Sequence, residues 1–243
     1  VDVTALSAKK VALAIVGDVN SRTVAEHSMT LLLAASKRMM LYDAACRTPQ
    51  GWPYRDSLEA REVYGKTLLI VGFGRIGRQL AAMARAFGMK ITIFDPFVDR
   101  TTLDADIGVC DDLDQALAQS DAVSLHLPKI DGVLIGREQI TRMKQGAVIV
   151  NAARGGLIDE EALAEALRAG KLQGAGLDVF GEEPPSEDHP LAHEDLAVLS
   201  PHIAGLTWEC AQRMAVKSVE NIINYFHASV ERKLIVNADD IGL

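Results

Sequence analysis

Cysteine is scarce. The chain has three in 243 residues, Cys46, Cys110 and Cys210, far apart and in no CxxC pair. This argues against a disulfide framework or a zinc site and suits a reducing cytosol. Blocks of Lys and Arg are missing too, and 33 acidic residues outnumber 25 basic ones for a net charge of −8. That balance disfavours nucleic-acid binding. No apolar run approaches the roughly 18 residues of a membrane span. There is no internal repeat, no low-complexity tract, and no set of spaced His, Cys, Asp or Glu that reads as a metal site. The chain opens on Val1 rather than Met. Lys9-Lys10 before the apolar run Val11–Val16 has the outline of a signal peptide, but Asp18 ends the run and no small-residue cleavage pattern follows. Val11–Val16 is therefore read as a strand. What is present is apolar residues, 49%, with 24% charged. Those proportions exclude disorder as the main state and mark a globular chain of one large domain or two small ones.

The rest has a rhythm of short β-rich runs alternating with helical patterns. Strands are expected at Thr67–Val71, Lys90–Phe94, Ala122–Leu127, Ala147–Val150, Ala175–Val179 and Ala197–Leu199. Helices are expected at Arg75–Phe87 with Gly88 as C-terminal cap, and at Leu113–Gln119, Glu138–Lys144 and Asp159–Ala169. Such alternation implies an α/β protein with a doubly wound parallel sheet covered on both faces. Two longer helices flank it: Val24–Ala45, opened by the capping-box pattern Thr23-x-x-Glu26, and Trp208–His227, with Thr207 as N-cap. Pro49, Gly51 and Pro53 mark Arg47–Leu58 as an exposed loop. Pro184, Pro185 and Pro190 mark a second, acidic loop, Gly181–Pro190.

Gly72-Phe73-Gly74-Arg75-Ile76-Gly77 is a GxGxxG. Alone it is a weak signal, but here it follows an apolar strand and opens a helix, and the next strand ends at Asp95, eighteen residues past Gly77. In that setting the glycines bring the backbone close to a pyrophosphate, the helix N-terminus supports it, and the acid accepts from the adenosine ribose. Asp95 repels a 2′-phosphate, so NAD is favoured over NADP. The competing reading is a glycine-rich turn without a ligand.

Ligands gather at the carboxyl ends of strands in doubly wound sheets. Three chemically useful residues follow successive strands there. Arg154 stands before Gly155-Gly156, Glu183 follows Asp178 in Phe180-Gly181-Glu182-Glu183-Pro184, and His202 follows Leu199-Ser200-Pro201. A planar guanidinium holds a carboxylate bidentately. A histidine donates protons near neutral pH, and a carboxylate bonded to it sets its tautomer and favours its charged form. The plain alternatives are a surface arginine, a solvated acidic loop and a capping histidine. His27, His126, His189, His193 and His227 are weaker candidates; His126 ends a strand but has no matching carboxylate or arginine.

Taken with Val24-Ala25-Glu26-His27, Gly65-Lys66-Thr67, Asn151-Ala152-Ala153-Arg154-Gly155-Gly156, Leu177-Asp178-Val179-Phe180 and Pro201-His202-Ile203-Ala204-Gly205, these motifs resemble the D-isomer-specific 2-hydroxyacid dehydrogenase family, in particular its phosphoglycerate-dehydrogenase-like members. The resemblance covers nearly the whole chain. It implies a Rossmann NAD-binding domain and a D-specific, NAD-dependent oxidoreductase acting on 2-hydroxy or 2-keto acids. It implies that Arg154 binds the substrate carboxylate and that His202, paired with Glu183, is the acid/base. It implies that Arg75 and Ile76 cover the pyrophosphate between Gly72, Gly74 and Gly77, and that Asp95 holds the ribose. Leu127, Ala152 and Asp178 then line the nicotinamide side, Asp178 at the carboxamide, and Pro128, Ala153, His202 and Gly205 join the cofactor contacts.

Two departures stand out. The loop after His126-x-Pro128 lacks the threonines common in the family. Members also begin with a substrate domain of roughly 100 residues, and this chain enters near its end. Residues 1–19 then read as a remnant of that domain, 20–227 as the cofactor domain, and 228–243 as a return to the flavodoxin-like substrate domain. A homodimer through the first long helix and its loop is implied by the family, with Trp52, Tyr54 and Met39-Met40-Leu41-Tyr42 as candidates, although core packing serves these residues equally well. A cytoplasmic enzyme is expected. The alternatives are an NAD(H)-binding sensor or co-repressor of the same fold, and an NAD-binding piece without turnover.

Overall fold

The computed structural model describes all residues, Val1–Leu243. Its strands are β1 (Thr67–Val71), β2 (Lys90–Phe94), β3 (Ile107–Val109), β4 (Ala122–Leu125), β5 (Ala147–Asn151), β6 (Leu172–Leu177) and β7 (Ala197–Leu199). Its helices are α1 (Val3–Ala8), α2 (Ser21–Ser36), α3 (Met39–Cys46), α4 (Arg75–Ala86), α5 (Leu113–Gln119), α6 (Arg137–Arg142), α7 (Glu160–Arg168), α8 (Trp208–Phe226) and α9 (Ala238–Ile241). The chain divides into two compact units, Arg22–Ala204 and Val1–Ser21 with Gly205–Leu243.

In the first unit all seven strands run parallel in the order β3-β2-β1-β4-β5-β6-β7. Apolar runs such as Leu68–Val71 and Ala147–Val150 are buried throughout because both sheet faces are covered. Alternate residues divide between the faces. Leu69, Val71, Val123 and Ile149 pack with Leu117 of α5, Ile140 of α6 and Leu163 of α7. Leu68, Ile70, Val148 and Val150 pack with Leu31 of α2 and Leu80 of α4. The chain winds outward from β1 to β3, then returns to place β4 on β1's other side. That reversal makes a crevice between the carboxyl ends of β1 and β4.

The expected doubly wound sheet is present, with three local differences. The edge strand β3 was not foreseen; it has three residues with Gly108 in the middle, too short for a period. The expected single helix Val24–Ala45 is two helices. The Ser36 carbonyl accepts the Arg61 amide at 2.8 Å, and Arg38 turns left-handed at φ 55°. The first of these helices starts at Ser21, so Thr23 lies inside it instead of capping it, and Glu26 pairs with Arg22 at 2.9 Å.

In the second unit the expected strand Val11–Val16 reduces to one antiparallel bridge, Ala14 to Ile235. Two backbone bonds accompany it, from the Ile15 amide to the Leu234 carbonyl and from the Val236 amide to the Leu13 carbonyl, both 2.8 Å, and the buried side chain of Asn237 extends the pairing. Its Oδ1 accepts from the Leu13 amide at 2.9 Å, and its Nδ2 donates to the Val11 carbonyl at 3.0 Å. Helix α8 groups with the termini. Within this unit the Asn221 Nδ2 donates to the Ile15 carbonyl at 2.9 Å and Arg213 Nε to the Val19 carbonyl at 3.1 Å.

Candidate active site

The glycine loop joins β1 to α4. Gly72 has φ 92°, and a Cβ there would fall 2.5 Å from the His126 carbonyl oxygen, so only glycine lets the chain turn beside β4. A Cβ at Gly77 would fall 2.4 Å from the Gly72 oxygen, which seats α4 tightly on the loop. Gly74 is the N-cap of α4 and supplies no side-chain cap, while the space at its Cβ is open. The first-turn amides therefore face outward without the acceptor that Asp112 and Asp159 give α5 and α7. Asp95 accepts from the Phe73 amide at 2.7 Å and the Phe97 amide at 2.9 Å, which ties the end of β2 to the loop and leaves acceptor capacity on both oxygens. At the end of β4, His126 Nε2 meets the Ser124 hydroxyl at 2.8 Å, and its buried Nδ1 has no protein partner. Burial lowers the His126 pKa to about 4. Uncapped amides, open space and a carboxylate at the next strand end fit a dinucleotide. Ile76 and Ala152 come together in a small apolar cluster with Val24 and Ala204.

Beyond β5 the buried Asn151 shapes the turn that presents Arg154. Its Oδ1 accepts from the Ala153 amide at 3.0 Å, and its Nδ2 donates to the Arg154 carbonyl at 2.9 Å. The Arg154 side chain is exposed, and its Nη1 donates to the Ala153 carbonyl at 2.6 Å. Next to it, a Cβ on Gly155 would sit 1.6 Å from the Phe180 carbonyl oxygen.

Asp178 is fully buried at the end of β6. Its Oδ1 accepts from the Ser200 hydroxyl at 2.6 Å and the Ile203 amide at 2.9 Å, and its Oδ2 from the Ala204 amide at 2.8 Å. Burial favours its neutral form, but bonds from His27, Ser200 and the two amides more than offset this and hold its pKa below the usual aspartate value. Asp178 thus fixes the turn that carries His202, whose amide donates to the Asp178 carbonyl at 2.8 Å and whose φ is 56°. His202 Nδ1 lies 2.7 Å from Glu183 Oε2, and Glu183 Oε1 accepts from the Phe180 amide at 3.0 Å. The bond from His202 and that from Phe180 hold Glu183 below the usual carboxylate range. The pair opens on a cavity of about 540 Å³ walled by Phe180, Pro184 and Leu199.

Among the residues singled out from sequence, Glu183 and His202 meet, while no hydrogen bond or ion pair joins Arg154 to either. Leu127 packs against the core, Pro128 is exposed, Ala153 is buried, and Gly205 begins the other unit. Sequence reasoning passed over two supports. His27 Nε2 meets the Ser200 hydroxyl at 2.8 Å and stands 3.5 Å from Asp178. Glu160 grips the loop carrying Glu183, accepting from the Gly181 amide at 2.8 Å and meeting His189 at 3.0 Å. One signal for His27 was its position four residues before Leu31, on the buried face of α2.

Residues 29–204 match the family described as D-isomer specific 2-hydroxyacid dehydrogenase, NAD binding domain. The chain is 41% identical over 218 residues to the D-3-phosphoglycerate dehydrogenase of Methanocaldococcus jannaschii, covering 88% of itself and 41% of that relative. It is 42% identical over 204 residues to the hydroxypyruvate reductase of Thermotoga maritima, covering 82% of itself and 65% of that protein. The chain thus spans about two fifths of the length of the first of these relatives. Among solved structures, the D-lactate dehydrogenase of Aquifex aeolicus, complexed with NAD and lactic acid, superposes with a TM-score of 0.84 at 28% identity, covering 97% of this chain and 76% of that one.

Proposed function

The chain belongs to the D-isomer specific 2-hydroxyacid dehydrogenase family, and from that premise we propose that it serves hydride transfer between NAD(H) and a D-2-hydroxy or 2-keto acid. When bound, the nicotinamide supplies or accepts the hydride. The uncapped amides of α4 and the carboxylate of Asp95 hold the dinucleotide. The Nδ1–H of His202 donates to Glu183, which leaves Nε2 free to give a proton to the substrate oxygen on reduction and to take it back on oxidation. Glu183, itself fixed by the Phe180 amide, holds the imidazole in that tautomer and orientation. Arg154 keeps most of its guanidinium donors free, matching a planar carboxylate. The observation that carries this reading is the 2.7 Å His202–Glu183 bond at the same sheet edge as the glycine loop.

The same reading covers the finer points. Segments 1–19 and 228–243 belong to a substrate domain, the protein works in the cytoplasm, and copies pair through α3 and the following loop. There Met39, Met40, Trp52 and Leu58 are exposed. No helix is long and apolar enough to cross a membrane.

The test is NADH oxidation by the full-length gene product against phosphohydroxypyruvate, hydroxypyruvate and glyoxylate. Asparagine tolerates left-handed backbone, so His202→Asn removes the acid without straining the turn. Turnover drops about 10²–10⁴-fold in that variant, with NADH affinity retained. Unchanged turnover rejects His202 as the acid. Tight NADH binding without turnover on any substrate in the panel favours a sensor or co-repressor.

A further inference from the structure

A second cavity, about 380 Å³, lies at the amino ends of β1, β4, β5 and β6, the opposite edge of the sheet from the glycine loop. Ser36 and Arg38 enter it from the break between α2 and α3, and Arg61 and Lys66 from the segment leading into β1. Three of these four side chains are cationic, in a chain of net charge −8. Two carboxylates share the lining. Asp121 turns one oxygen to the Thr67 amide at 2.8 Å and the other to Lys144 at 3.1 Å, and Glu62 is exposed at the rim.

Arg38 is the unusual member. Its side chain is only 11% exposed, and Nε and Nη1 are buried without a hydrogen-bond partner. Its one ion-pair neighbour, Glu59, stands 3.7 Å from Nε, beyond hydrogen-bond reach. A guanidinium withdrawn from water with unmet donors is costly to the fold unless an acceptor reaches it. The nearby Gly146 and Gly170 amides already donate to the Lys171 and Leu167 carbonyls, so side chains must bind whatever enters. A ligand here needs negative charge and several acceptor oxygens in a small volume.

We propose that this cavity binds a small oxyanion, a phosphate or carboxylate group, held from within by Arg38 and at the mouth by Arg61 and Lys66. The site is distinct from the cofactor crevice, since the two occupy opposite ends of the same strands. Phosphate also suits the glycine loop, so the experiment is run with NAD+ at saturation. Inorganic phosphate is titrated at constant ionic strength against chloride, with succinate in parallel to separate phosphate from carboxylate. At least one of the two anions raises the wild-type Tm and shifts the amide resonances of Ser36, Gly146 and Gly170. The double variant Arg61→Ala/Lys66→Ala, which spares the buried Arg38, binds that anion about tenfold more weakly or worse, with NAD+ affinity intact. The proposal is overturned if neither anion acts beyond chloride, if the double variant responds as the wild type does, or if the shifts stay within Gly72–Gly77.

Discussion

His126 gives the protein an acid threshold. Its pKa falls from 6.5 to about 4 through burial. Between those values the unfolded chain binds a proton that the folded chain does not, so stability is fully present above 6.5 and declines as pH falls towards 4. Thermal unfolding followed across that window shows Tm dropping, by at most ~1.4 kcal/mol of stability per pH unit from this group. His126→Gln flattens that segment, and an unchanged slope assigns the loss to other groups. Glu183 offers a second residue-scale prediction. In Glu183→Gln the carboxylate that holds His202 Nδ1 is gone, and kcat for keto-acid reduction falls by about 10²-fold or more while the NADH Kd stays within a factor of two. The Glu183–His202 pair was legible in the sequence because each residue follows a strand and is framed by its own motif. The polar shell beneath it was not. His27 and Ser200 are 173 residues apart and Glu160 and His189 are 29 apart, and no local period announces such partners. Asp178 was expected at the carboxamide, and its burial among Ser200, Ile203 and Ala204 shows a structural duty that its motif did not reveal.

Helices and strands with a clear period were read well. All strands but β3, and α4 to α7, fall within a few residues of expectation because their apolar residues line up with the faces they bury; α8 also falls where expected, although it buries only Cys210 and Asn221. The failures have local causes: a side chain taking strand-like bonds at Asn237, a foreign amide ending α2 at Ser36, and a three-residue edge strand with Gly108 at its centre. The glycine loop allows a test that separates packing from binding. Gly72→Ala meets both a left-handed backbone and the His126 carbonyl. It destabilises by about 1–3 kcal/mol or more, read as a lower midpoint in urea. Gly74→Ala meets open space and an extended backbone. It leaves that midpoint nearly unchanged and weakens NADH binding by about tenfold, ~1.4 kcal/mol. Equal midpoints for the two variants contradict the steric account.

For the molecule as a whole, the sheet, the glycine loop and the Arg154, Glu183 and His202 positions all lie within Arg22–Ala204. A fragment of those residues is expected to fold with the parallel-sheet signature in circular dichroism and to retain NADH fluorescence enhancement. Loss of binding in a folded fragment assigns part of the cofactor site to Gly205 and the residues after it. The contact between Gly155 and the Phe180 carbonyl bears on inheritance. With 1.6 Å where a methyl carbon would stand, the loop after β5 and the loop after β6 fit together backbone to backbone, with no side chain between them to absorb a mismatch. A crossover between 156 and 180 that joins halves from two diverged parents puts that fit at risk, even when both halves keep every motif. The smallest block that shuffles intact between relatives runs from Asn151 through Ala204, so natural chimeras and laboratory libraries alike are expected to place their surviving breakpoints outside it.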